Sequence, residues 1–185
     1  SLNTFAKPTN VDTNSRILCY DIRDLGKQLL PVGMLVVLDS VFNRIIRNRR
    51  LGRSTWVYID EIYLLFQHEY SANFLFTLWK RVRKYGACCT GLTQNVDDLL
   101  QSHTARTMLA NSEFLVMLNQ ASTDRAELAR LLNISDNQLS YITNVDFGRG
   151  LIKCGSAIVP FMDHFPKNNL YRLMSTKPSE ADAAV

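Results

Sequence analysis

The chain has 185 residues, 46% of them hydrophobic and 21% charged, and Lys plus Arg exceed Asp plus Glu by 21 − 17, a net charge of +4. These values place it in the soluble globular class, folded around one core, with a basic excess that permits contact with phosphates but is too small to diagnose nucleic-acid binding. The longest uncharged apolar stretch, LLPVGMLVVL at 29–38, is too short to span a bilayer, and the N-terminus SLNTFAKPTN has no signal-peptide character, so membrane association is expected only through partners.

In chain order, RILCYDI at 16–22 reads as a first strand. A helical stretch follows, with Leu38, Val41, Phe42, Ile45 and Ile46 on one face, ending in the basic run RIIRNRRLGR with Gly52 as its C-cap. TWVYID at 55–60 is the second strand. A helix begins near Ser71, is buried through Phe74, Leu75, Leu78, Trp79 and Val82, and closes with KRVRKYG. ACCTGLTQN at 87–95 is a third strand with its exit turn, a short helical piece near 104–111 follows, and EFLVMLNQ at 113–120 is a fourth. Strands alternating with helices predict a mostly parallel α/β sheet. Leu128, Leu131 and Leu132 give STDRAELARLLNIS a helical period, and Ser135 with Gln138 has capping-box spacing. RGLIKCG and AIVPFMDHF read as a closing hairpin around Gly155 and Ser156, and 176–185 as a frayed tail after a domain over 1–175.

The chemistry is concentrated at strand ends. In an open parallel sheet, ligands lie beyond the carboxyl ends of the strands, so Asp60-Glu61, Thr93-Gln94-Asn95 and Asn119-Gln120 are expected to share one crevice. Four apolar or aromatic residues followed by Asp-Glu is the Walker B form: the first acid holds a hydrated Mg²⁺ and the second polarises the water that attacks a γ-phosphate. Gln94 is placed to sense that phosphate, and Thr93 adjoins it. The plainer reading is that the acids only cap the next segment. The phosphate cradle G-x-x-x-x-G-K-[ST] is not found: the only Gly-Lys pair, Gly26-Lys27, is followed by Gln28.

Other features have bland readings. The 44–53 run, with five arginines, could track DNA, yet reads better as a solvated helix end because no aromatic side chains are interleaved. Cys19, Cys88, Cys89 and Cys154 show no C-x-x-C spacing and suit reduced, buried thiols of a cytosolic protein; no paired base marks Cys88 or Cys89 as a nucleophile. His68, His103 and His164 lack ligand spacing.

The segments TNVDTNSRILCYDIRDLGKQL, STWVYIDEIYLLF, EYSANFLFTLWKRVRKYG, TGLTQNVDDLL, MLANSEFLVMLNQASTDRAELARLLNIS and GRGLIKCGSAIVPFMDHFPKNNLY resemble the C-terminal part of conjugation ATPases. The resemblance is to the TraC/TraE-like type IV secretion ATPases of integrative conjugative elements, within the HerA/FtsK group of RecA-fold motors. It implies a RecA-like P-loop NTPase fold lacking the P-loop strand, because in that family the P-loop precedes the region resembling residues 1–20. It further implies ATP and Mg²⁺ as ligands of the parent enzyme, Asp60 as the Mg²⁺-associated acid, Glu61 as the catalytic carboxylate and Gln94 as sensor. Arg83, Arg125 and Arg149 fall in matching segments, and each is a candidate to stabilise developing phosphate charge across a subunit boundary. Each also has a plain role at a helix end, in a first turn or beside a hairpin. The implied partners are identical subunits in a hexamer, the type IV secretion channel and coupling proteins, with DNA contact open and a cytoplasmic location at the inner face of the membrane. The alternatives are a non-catalytic docking module of the transfer machinery and a HerA/FtsK-type DNA translocase.

Overall fold

The computed structural model describes residues 7–8, 10–22, 24–26, 28–94, 96–120 and 122–175; Asn95 and the 176–185 tail lie outside them. The chain divides into two compact units, Ser1–Met108 and Leu109–Val185, and the folding of each follows from its own apolar pattern.

In the first unit, helix α1 (Leu30–Arg50) takes in the apolar stretch at 29–38, with Pro31 in its first turn, where a missing N–H costs nothing. It ends in a Schellman closure: Arg53 N–H donates to the Asn48 carbonyl (2.9 Å) and Gly52 N–H to that of Arg49 (3.1 Å). Gly52 adopts φ +68°, a conformation in which any Cβ is penalised. The chain then enters strand β1 (Thr55–Ile59), passes through a 3-10 turn at Ile62–Phe66, and forms helix α2 (Glu69–Arg81). Ser71 is buried and does not cap α2; its hydroxyl donates to the carbonyls of Leu65 (2.6 Å) and His68 (3.0 Å), so the helix starts two residues earlier than its pattern suggests. A second 3-10 turn, Val82–Tyr85, leads into strand β2 (Ala87–Gly91), followed by the short helices α3 (Val96–Gln101) and α4 (His103–Ala110).

β1 and β2 form a parallel pair in register from Thr55 opposite Ala87 to Ile59 opposite Gly91. Leu38 and Ile45 of α1, Leu75 and Leu78 of α2, and Val82 are buried, and Phe42 meets Phe74 and Tyr85 edge-on at 6.5 and 5.6 Å. On β1, burial alternates: Thr55, Val57 and Ile59 are partly covered, whereas Trp56 and Tyr58 are 66% and 67% exposed.

The second unit is antiparallel. Strand β3 (Phe114–Met117) pairs with β4 (Arg149–Cys154), which pairs with β5 (Ala157–Met162) through a two-residue turn at Gly155 and Ser156. Between β3 and β4 come helices α5 (Ser122–Leu132) and α6 (Asp136–Leu139); α6 is opened by the reciprocal Ser135–Gln138 capping box, and α7 (Asn169–Met174) follows β5. Leu128, Leu132, Ile134, Ile142 and Leu151 are buried here.

Two expectations are corrected. Residues 16–22 form no strand: Ile17 is 79% exposed, and neighbouring groups are strapped along α1 instead. Arg44 donates to the carbonyls of Thr13 and Ser15, and Tyr20 Oη lies 3.1 Å from Ser40 Oγ. The 113–120 segment does give a strand, but one paired antiparallel, because the hairpin that closes the chain supplies its nearest partner. Among the described residues no helix is long and apolar enough to cross a membrane. Leu75 is fully buried, so Leu75→Ala is expected to destabilise the protein by about 2–5 kcal/mol, read as a lowered midpoint in chemical denaturation with nucleotide-independent size.

Candidate functional site

The parallel register sets the site. Because Ile59 is opposite Gly91, residues leaving β1 and β2 emerge side by side at the carboxyl end of the pair. The ladder continues past the strands: Leu92 N–H donates to the Ile59 carbonyl (2.9 Å), and the Leu92 carbonyl accepts from Ile62 N–H (2.9 Å). Asp60 and Glu61 lie in one exit and Thr93 and Gln94 in the other. The third polar pair expected in the crevice, Asn119 and Gln120, follows β3 in the second unit. There it helps close that unit: Asn119 Oδ1 accepts from Val145 N–H (3.4 Å) and Gln120 N–H donates to the Ile142 carbonyl (2.9 Å).

Glu61 adopts φ 48°, ψ 48°, the left-handed conformation that costs a non-glycine residue about 1–2 kcal/mol. Asp60 supports it, since its Oδ1 accepts the Glu61 N–H (3.0 Å). Sequence pattern gives no sign of this kink, although it turns the chain abruptly from strand into 3-10 turn. Asp60 is exposed and Glu61 half-buried, and among the described residues the Glu61 carboxylate makes no hydrogen bond or ion pair. Gln94 is exposed and Thr93 half-buried. The Asp60 carboxylate thus has one oxygen fixed by backbone and the other open, a donor set suited to a water-mediated divalent cation.

Sequence reasoning also missed the role of Gly91. A Cβ there would meet Ile62 Cδ1 at 2.4 Å and Cγ2 at 3.3 Å. Ile62 is buried, so glycine is what lets the two exits approach. A separate groove of about 360 Å³, lined by Tyr63, Phe66, Gln67, Asp98, Gln101 and Ser102, lies between the 62–66 turn and α3 and includes none of the four site residues.

The three arginines fall in three different elements. Arg83 stands in the turn before β2, at the opposite end of the strands from Glu61. Arg125 is on α5, half-buried, and Arg149 opens β4 with an exposed, long ion pair to Asp146 (3.7 Å); both belong to the second unit. The expectation of buried cysteines is corrected: Cys19, Cys88 and Cys154 are exposed. On β2 the odd positions Ala87 and Cys89 face the covered side and Cys88 does not. Burial, helped by Cys88 beside it, pushes the Cys89 thiol up from an ordinary 9.0 to about 12.

These strand-end carboxylates frame the comparisons. The model of the TraG P-loop domain matches residues 9–149, most of the chain. The chain belongs to the TraG P-loop domain family. No curated protein matches. Among solved structures, VirB4 of Thermoanaerobacter pseudethanolicus is similar at 27% identity and a TM-score of 0.77, over 87% of this chain and 45% of VirB4. The chain therefore spans less than half of that relative, and it is a TraG P-loop domain segment of mixed α/β fold with a parallel strand pair flanked by helices.

Two outcomes follow from the local geometry. Gly91→Ala is expected to cost about 1–3 kcal/mol by overpacking against Ile62, seen as a lowered thermal midpoint. In alkylation at about pH 8, followed by peptide mass spectrometry, Cys88 is expected to be labelled. Cys89 stays unmodified until the pH approaches 12, because its thiol, not its thiolate, is the form present below that value.

Proposed function

We propose that this chain is the Walker B and sensor half of the ATPase domain of a conjugation or type IV secretion motor. The observation that carries this reading is Asp60 and Glu61 at the end of β1, hydrogen-bonded through Leu92 to the exit that bears Gln94, in a member of the TraG P-loop family. Asp60 offers its open oxygen to a hydrated Mg²⁺. The ion would supply charge neutralisation for the phosphate groups of the nucleotide. Glu61 orients and polarises the attacking water; its left-handed backbone and partner-free carboxylate hold it ready for that contact. Gln94, with Thr93 beside it, would hydrogen-bond the γ-phosphate from the exit that Leu92 ties to the end of β1.

A cation must meet the charge that develops in transfer. Arg83 faces the opposite end of the strands, so Arg125 and Arg149 are the better candidates for this role, supplied across a ring of identical subunits. The same reading, resting on the resemblance to conjugation ATPases, gives secretion-channel and coupling components as partners and a working position at the cytoplasmic face of the membrane.

The test is Glu61→Gln in the intact protein. Nucleotide binding is expected to persist while turnover falls by about 10²-fold or more, the range for a positioned general base. Near-normal phosphate release by the folded variant overturns the assignment of Glu61.

A further inference from the structure

The amino-terminal end of the β1–β2 pair carries charge of the opposite sign. The chain has nine cations in two runs, five arginines in 44–53 and four Lys or Arg in 80–84, and no Asp or Glu between Asp39 and Asp60 or between Glu69 and Asp97. The fold brings these runs together. Asn48 Nδ2 donates to Thr55 Oγ1 (2.9 Å), Thr55 N–H to the Gly86 carbonyl (3.4 Å), and Arg49 Nη1 lies 3.4 Å from where a Cβ on Gly86 would stand. Phe42 against Tyr85 pins α1 to the 82–85 turn.

Two of the nine are committed elsewhere: Arg44 to the Thr13 and Ser15 carbonyls, and Lys80 over the Phe76 ring at 4.0 Å. Arg47, Arg49, Arg50, Arg53, Arg81, Arg83 and Lys84 are exposed, and none has an acidic partner among the described residues. One or two cations satisfy a helix C-terminus, worth about 0.3–1 kcal/mol each; seven unpaired ones repel each other and exceed that need.

We propose that this pole binds the phosphodiester backbone of duplex nucleic acid without reading its sequence. Six of the seven free cations are arginines, whose planar fork grips phosphate oxygens in pairs. Single-strand binding needs aromatic platforms interleaved with the cations; neither run contains an aromatic residue, Tyr85 beside the second run is packed on Phe42, and the exposed Trp56 and Tyr58 stand outside the runs, on the open face of β1. Interfacial membrane binding needs an apolar face, and the runs expose only Leu51. Asn48, a possible base reader, is engaged with Thr55. Nothing in this surface requires the carboxylate end to hydrolyse ATP, so the two readings fail separately.

The experiment is fluorescence anisotropy of the intact protein with a labelled random duplex of about 30 base pairs, titrated from about 50 to about 200 mM salt. Affinity is expected to fall steeply with salt. Arg47→Ala/Arg50→Ala/Arg53→Ala is expected to weaken binding at least about tenfold and to lower the salt slope by roughly one for each phosphate contact removed, whereas the corresponding triple Lys variant keeps most of the binding. Unchanged binding by the Ala variant, equal loss in the Lys variant, tighter binding to a single strand of equal length, or capture by phosphatidylglycerol vesicles in place of duplex would each overturn the proposal.

Discussion

The hydrogen-bond ladder between β1 and β2 runs one peptide further than the strands themselves. Leu92 donates to Ile59 and accepts from Ile62, so the two exits leave the sheet as one braced element. Parallel pairing makes this possible: both strands run the same way, and their polar exits meet at the same end. Gly91 supplies the clearance. With the bracing in place, the left-handed turn at Glu61 can be held against its cost, because backbone bonds on both sides over-determine it. Without it the same dipeptide would be an ordinary exposed turn.

The ends of the parallel pair differ in sign. Carboxylates gather where the strands leave the sheet, and arginines where they enter it. Neither pattern follows from the small net charge, which averages over both. Across a thin layer of low dielectric such a separation gives the unit a dipole along the strands, adding to the alignment of any polyanion before contact is made. The basic ends of α1 and of the 80–84 run each complement a helix terminus locally, and only their convergence at Gly86 makes one surface of them.

Local signals were legible in the sequence. The apolar run ending in Asp60-Glu61, the exit after Gly91, the Gly52 cap, the Ser135–Gln138 box and the Gly155 turn are all set by neighbours within a few residues, and the structure has them. What the sequence did not carry is pairing. RILCYDI has the composition of a strand, but a strand needs a neighbour for its N–H and C=O groups, and segment 13–20 finds α1 instead. EFLVMLNQ has the period of a strand in either direction; only the later hairpin makes it antiparallel. The spacing also hid which side Cys88 faces and that Arg83 precedes β2 at the far end from Glu61, since a five-residue strand separates the two ends in space and not in pattern.

Trp56 and Tyr58 lie opposite Cys88 and Thr90 on the side of the parallel pair that nothing in this unit covers. Parallel sheets are ordinarily buried on both faces, and two adjacent aromatic rings open to water form the kind of apolar patch that drives aggregation. Produced by itself, the segment therefore carries an aggregation liability built into β1. Charged replacement of Trp56 and Tyr58 is the natural solubilising edit, since neither side chain contributes to the buried side of the strand.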